Sequence, residues 1–204
     1  METINKTIAN LKSHAFAAEY LADRNAARER ILALTKPGAS VGLGGSSTVR
    51  DTGIVKALED RGHKIFDHWK HGLNPAEILN IRKAHLTCDV FLTGANAIAQ
   101  TGQIMNREGV GNRTNAMTFG PGKVIIVAGK NKITPNVDAA MERIRAIAAP
   151  KRNMEYNTGN PCIKAGRCVE CNSPMRICRI TTILERRPML TDITVLIVGE
   201  DMGN

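Results

Sequence analysis

Aromatic side chains are scarce in this 204-residue chain: one tryptophan, two tyrosines and four phenylalanines, 3% of the total. Binding of single-stranded nucleic acid uses aromatic faces on which bases stack, so the scarcity argues against nucleic acid as a partner despite a formal charge of +9. Long apolar runs are also absent. No segment approaches the ~18 consecutive apolar residues of a membrane helix, and the opening Met1-Glu2-Thr3-Ile4-Asn5-Lys6 starts an amphipathic pattern, not a signal peptide. The expectation is a cytoplasmic protein with no membrane partner. Acidic residues are few, 19 against 28 Lys and Arg. The deficit is concentrated between Lys151 and Leu190, where eight basic residues face three glutamates around a group of cysteines. That distribution suits a small anion or an anionic metal cluster better than a polyanion.

What is present is enough apolar sequence, 43%, to bury a core as a single domain over residues 1–204. Ile4, Ile8, Leu11, Ala15 and Ala18 recur at helical spacing, and Ala27, Ile31 and Leu34 repeat it, which predicts two helices within residues 1–36, stopped by Pro37-Gly38. They serve as core cover or as the face of a homodimer. Strands are predicted at Val41-Gly42-Leu43, around Lys64-Ile65-Phe66, at Cys88 to Thr93, at Val124 to Ala128 and at Ile193 to Val198, with helices at Ile54 to Gly62 and Pro75 to Ala84. A further helix is predicted with Thr134 as N-cap and Pro135 at its first position, ending at Pro150. Alternating strands and helices predict an α/β fold of three layers around a mostly parallel, Rossmann-like sheet.

The most informative stretch is Gly44, Gly45, Ser46, Ser47 and Thr48, a Gly/Ser loop between a short apolar strand and a helix. Glycines admit a ligand close to the backbone, and the hydroxyls and free N–H groups at a helix start can donate to an anion. Two more loops follow predicted strands, Gly94 to Asn96 and Gly129 to Lys132. If these strands are neighbours, the three loops meet in one crevice at the carboxyl edge of the sheet. Asn112 and Arg113, in the Gly/Asn-rich segment between strands, supply an amide and a guanidinium that can orient a small acid. The candidate ligand-binding set is therefore Gly44, Gly45, Ser46, Ser47, Thr48, Gly94, Asn96, Asn112, Arg113 and Lys132. The same Gly and Asn residues would also serve simply to build turns.

Cys162, Cys168, Cys171 and Cys178 follow the spacing C-x5-C-x2-C-x6-C within the irregular segment 157–180. Four thiolates can close a zinc site or hold an iron–sulfur cluster, with structural thiols or a redox disulfide as the other readings. Cys88, in a predicted strand, reads as a small core hydrophobe.

Taken together, Gly42 to Thr48, Thr93-Gly94-Ala95-Asn96-Ala97-Ile98, Gly109-Val110-Gly111-Asn112-Arg113, Phe119-Gly120-Pro121, Gly129 to Ile133 and the cysteine segment from Pro161 to Cys178 resemble the LUD domain. This is the lactate-utilisation family that includes LutC-type and LutB-type proteins, and the resemblance covers nearly the whole chain. It implies a fold like that of ribose-5-phosphate isomerase, glucosamine-6-phosphate deaminase and the CoA transferases. It also implies a role beside iron–sulfur-containing systems that oxidise lactate to pyruvate. Ala99-Gln100 stands where an acidic residue commonly follows the Asn-Ala-Ile segment, which removes a general base at that point.

Two function classes result. In the first, the protein is an accessory or electron-relay subunit that binds a small anionic metabolite and meets redox partner subunits. In the second, it is a stand-alone sugar-phosphate isomerase or acyl/CoA transferase, for which Asp51, Glu108 and Lys132 are the catalytic candidates.

Overall fold

The computed structural model describes all 204 residues. The order of elements is α1 (Glu2–Ser13), β1 (Ala17–Leu21), α2 (Arg24–Leu34), β2 (Val41–Leu43), α3 (Ser47–Asp51), α4 (Ile54–Asp60), β3 (Ile65–Asp67), α5 (Pro75–Ala84), β4 (Val90–Gly94), β5 (Ala97–Ala99) and β6 (Ile104–Glu108). Then follow α6 (Asn112–Thr118), β7 (Lys123–Gly129), β8 (Ile133–Thr134), α7 (Val137–Arg143), α8 (Ala149–Glu155), α9 (Pro161–Ala165), β9 (Ile180–Leu184) and β10 (Ile193–Val198).

Six strands form one parallel sheet in the order β1-β10-β7-β4-β2-β3. Strands β7 and β10 are apolar but for Lys123 and Thr194 because both faces are covered: Val124, Ile126 and Ala128 pack on one side with Phe91 and Val195, while Ile125 and Val127 pack on the other with Ile31, Ile54 and Leu196. The three-layer, Rossmann-like α/β fold expected from the sequence is the one observed. No helix is long and apolar enough to cross a membrane.

Three local expectations need correction. The first is the length of the first N-terminal helix: α1 stops at Ser13, Ala15 takes a positive φ of 66°, and residues 17–21 form an edge strand paired with β10, while the second expected helix is present as α2. Ala15 and Ala18 continue the helical spacing only by coincidence, because Phe16 and Ala18 are buried while Ala17 faces solvent, the alternation of a strand. Thr134 ends β8 instead of capping a helix, and Asn136 takes the cap, accepting from the N–H of Ala139. Pro150 does not end that helix. A widened π-type turn over Ile144–Ala148 leads into α8, whose first turn tolerates the missing N–H of proline.

A second sheet, β8-β5-β6-β9, escaped the sequence reading. In it β5 pairs antiparallel with β6 and parallel with β8, and β6 pairs antiparallel with β9. Ala97 and Met105 pack against Ala140 and Ile144, which fixes this sheet to the α7 helix and its π turn.

Candidate functional site

Strands β7, β4 and β2 are neighbours, so the loops at their carboxyl ends meet as the sequence anticipated. Between them lies a cavity of about 170 Å3 that all ten candidate ligand residues line. This is smaller than the ~300–1,000 Å3 of drug-sized sites, which suits a small metabolite.

The Gly/Ser loop is shaped by close packing. Gly45 has φ +68°, and a side chain on Gly44 would fall within 2.8 Å of Phe91. The hydroxyls are already engaged: Ser46 Oγ accepts from the N–H of Val49, Ser47 Oγ accepts from Arg152 at 3.3 Å, and Thr48 Oγ1 accepts from Lys132 Nζ at 2.6 Å. The helix they open, α3, is five residues long and breaks at Gly53 before α4 begins, so its dipole offers an anion little. The positive charge comes from side chains.

Arg82, Arg107, Arg113, Lys132 and Arg152 line the cavity, against one acidic side chain, Glu108. Glu108 is committed: it accepts from the N–H and Oγ1 of Thr114 at 2.8 and 2.6 Å, and Arg113 Nε stands 3.6 Å away. Arg113 also donates to the carbonyl of Arg107, and Asn96 Oδ1 receives the Arg107 N–H at 2.6 Å. Asn96 thereby ties the strand-end loop to β6. Asn112 donates to His85 Nδ1, whose Nε2 faces the carbonyl of Phe66, an arrangement that suits the neutral ring. Lys132 ends the short turn after β7 and pairs with no carboxylate. Burial first, then the nearby Arg143, Arg113 and Arg152, hold its amine down at about 7. His68, after β3, is held near 4 by burial and by His85, so its ring is neutral at pH 7. Three buried nitrogens on the cavity wall have no partner: His68 Nδ1, Arg82 Nε and Arg107 Nε.

His68, Arg82, Arg107 and Arg152 are the basic cavity residues that sequence reasoning missed. Arg152 is held by Ser47 and stacks on Trp69 and Tyr156, with its guanidinium carbon 5.5 and 5.4 Å from the ring centroids. The continuation of the helix past Pro150 puts it there. Of the catalytic candidates, Asp51 is exposed and outside the cavity, whereas Glu108 and Lys132 line it.

Gly94 sits at the crossing of two loops, where an added Cβ would lie 2.5 Å from Ser46 Oγ. Gly94→Ala is expected to drive that hydroxyl off its cap and cost about 1 kcal/mol of stability by urea denaturation. The cost should shrink in a Ser46→Ala background; an equal cost there would contradict this contact as the cause.

Cys162, Cys168, Cys171 and Cys178 line one small apolar pocket, and all are free thiols. The loop around them is braced by Arg176, which donates to the carbonyls of Cys171 and Cys178. Glu170, at φ +48°, directs its N–H to Cys168 Sγ at 3.4 Å. The donor chemistry fits zinc or an iron–sulfur cluster. The arrangement does not yet do so, since no three His, Cys, Asp or Glu residues are placed to hold one metal ion. Cys178, Ile177 and Ala149 line both this pocket and the strand-end cavity, which makes the two spaces neighbours.

The LUD-domain family model matches residues 4–198. Among solved structures, the chain is similar to a DUF162-family protein from Deinococcus radiodurans, crystallised at 1.70 Å resolution, with 15% identity, 97% of each chain covered and a TM-score of 0.56. At that identity the likeness is one of fold. No curated protein matches the chain.

Proposed function

The chain belongs to the LUD-domain family, and on that premise we propose that its cavity binds a small anionic metabolite carrying a carboxylate or a phosphate. The observation that carries this reading is the imbalance of charge: five basic side chains line a cavity whose one acidic side chain, Glu108, is already satisfied, and of the five only Arg113 and Arg152 have carboxylate partners, Glu108 and Glu155. The unpaired Nε atoms of Arg82 and Arg107 are donors in want of an acceptor. The carboxylates an isomerase or transferase would use are not available, Asp51 lying outside the cavity and Glu108 already committed, which leaves Lys132 as the one candidate base.

Calorimetric titration with lactate, pyruvate and inorganic phosphate tests the proposal. Saturable binding of at least one of them, weakened by Arg152→Ala, is the expected result. Heats no larger than dilution for all three would overturn it.

The second part of the proposal concerns the cysteines. On binding metal they would close around zinc as a structural site, or around an iron–sulfur cluster, which alone of the two would give the protein an electron-relay place beside redox partner subunits. Such a cluster would supply one-electron transfer next to the anion cavity. The chain's own contribution is the braced loop and the N–H directed at Cys168. Protein purified without oxygen is expected to carry stoichiometric zinc or iron, and Cys168→Ser with Cys171→Ser to lose it together with protease resistance over residues 157–179, because metal binding is there also folding energy. Metal-free protein after anaerobic reconstitution, with that segment equally protected, would contradict this part.

A further inference from the structure

The cavity holds one amine, and its surroundings are those of a nucleophile more than of a salt-bridge partner. Lys132 Nζ reaches the loop opposite its own and donates to the hydroxyl of Thr48. The residue is 4% exposed yet lines the cavity, so its amine is reached from the cavity side. The groups that bear on it most are guanidiniums, those of Arg143, Arg113 and Arg152, with Asp51 the weakest influence. Arg143 is turned away, donating to the carbonyls of Asn131 and Asn96. Arg113 and Arg152 line the same cavity as Lys132.

We infer that Lys132 is a carbonyl-reactive amine, and that the anion taken by the cavity is an aldehyde or ketone bearing a carboxylate or phosphate, held by the arginines and joined to Nζ as an imine. The inference rests on the anion-binding reading above and names the substrate class for it. The neutral amine is well populated at pH 7, as burial and neighbouring cations require of a lysine nucleophile. In the reaction the nitrogen lone pair forms a bond to the carbonyl carbon while the carbonyl oxygen takes a proton. The resulting carbinolamine loses that oxygen as water, which carries away the two amine hydrogens and leaves C=N. No oxidant or reductant is consumed. Thr48 Oγ1, 2.6 Å from Nζ, is placed to pass a proton between nitrogen and departing oxygen. The neutral ring of His68 lines the same space.

Borohydride trapping tests this on the unmodified protein. One arm uses glyoxylate and a second uses glycolaldehyde phosphate, each with and without excess inorganic phosphate, followed by mass spectrometry of the intact chain and of its peptides. The expected result is a reduced adduct on the peptide containing Lys132, in preference to the other lysines and suppressed by phosphate. Labelling in one arm alone assigns the anionic group as carboxylate or phosphate. Lys132→Arg, checked for native folding by circular dichroism, should abolish the adduct. Adduct spread evenly over surface lysines, or no adduct in protein that binds phosphate, would overturn the inference and leave the anion-binding reading intact. Failure to bind phosphate or either aldehyde would remove both.

Discussion

Replacing Lys132 by Met is expected to raise stability at pH 6 by about 2–4 kcal/mol, an advantage that disappears as the pH approaches 10. In the folded protein the amine titrates at about 7, against 10.5 for an ordinary lysine. The unfolded chain therefore binds more protons between those values, and charging the amine opposes folding. The sign follows: the penalty is absent above about pH 10.5, grows as pH falls, and is complete below about 7. At 1.36 kcal/mol per unit the ceiling is about 5 kcal/mol. Loss of the Thr48 hydrogen bond returns roughly 1 kcal/mol, and methionine fills a similar volume without a charge to desolvate. Urea denaturation of both proteins across this range checks it. Parallel stability curves, with no pH-dependent gap, would show that the amine is not desolvated.

Arg113→Ala is expected to weaken binding of a small carboxylate or phosphate by about 1.5–3 kcal/mol, on the scale of a charge-assisted hydrogen bond. Two effects act in the same direction. The guanidinium, whose side chain is 12% exposed, is lost from the cavity wall, and Glu108, 3.6 Å from it, loses the cation that offsets its charge. A carboxylate uncompensated beside the ligand repels it. The double variant Arg113→Ala, Glu108→Gln should therefore bind more tightly than Arg113→Ala alone, an outcome that a purely structural role for Arg113 would not produce. Equal affinities for wild type and Arg113→Ala would place the anion elsewhere.

The parts of this site that were legible in the sequence share one property: their residue types have few structural uses in that position. Gly44, Gly45 and the hydroxyls after a short apolar strand mark a loop with close backbone approach. Lys132 directly after the continuous apolar run of β7 marks a cation at the edge of a buried sheet. That β2, β4 and β7 are neighbours could only be posed as a condition, and the parallel pairing meets it. Arg82 and Arg107 were illegible because an arginine on a helix such as α5, or near the end of a strand such as β6, reads as a solvated face. Both have a buried Nε in the fold. Arg152 was hidden by Pro150, which looks like a helix stop when the π turn before it cannot be foreseen. The second sheet was hidden by shortness: β8 has two residues and β5 three, too few for any alternation to register. Hydrophobic spacing misled once, at Ala15 and Ala18, since small residues satisfy a helix face and a strand face alike.

The direct test of the central claim is a crystal of the protein grown with selenate, whose anomalous signal locates an oxyanion without prior assumption. An anion in the cavity within hydrogen-bonding distance, about 2.7–3.2 Å, of at least two of Arg82, Arg107, Arg113 and Arg152, and displaced by a small carboxylate that binds in solution, is the result predicted. A cavity that stays free of anion while selenate occupies only outer-surface sites, or one whose arginines turn to neighbouring side chains, would contradict it.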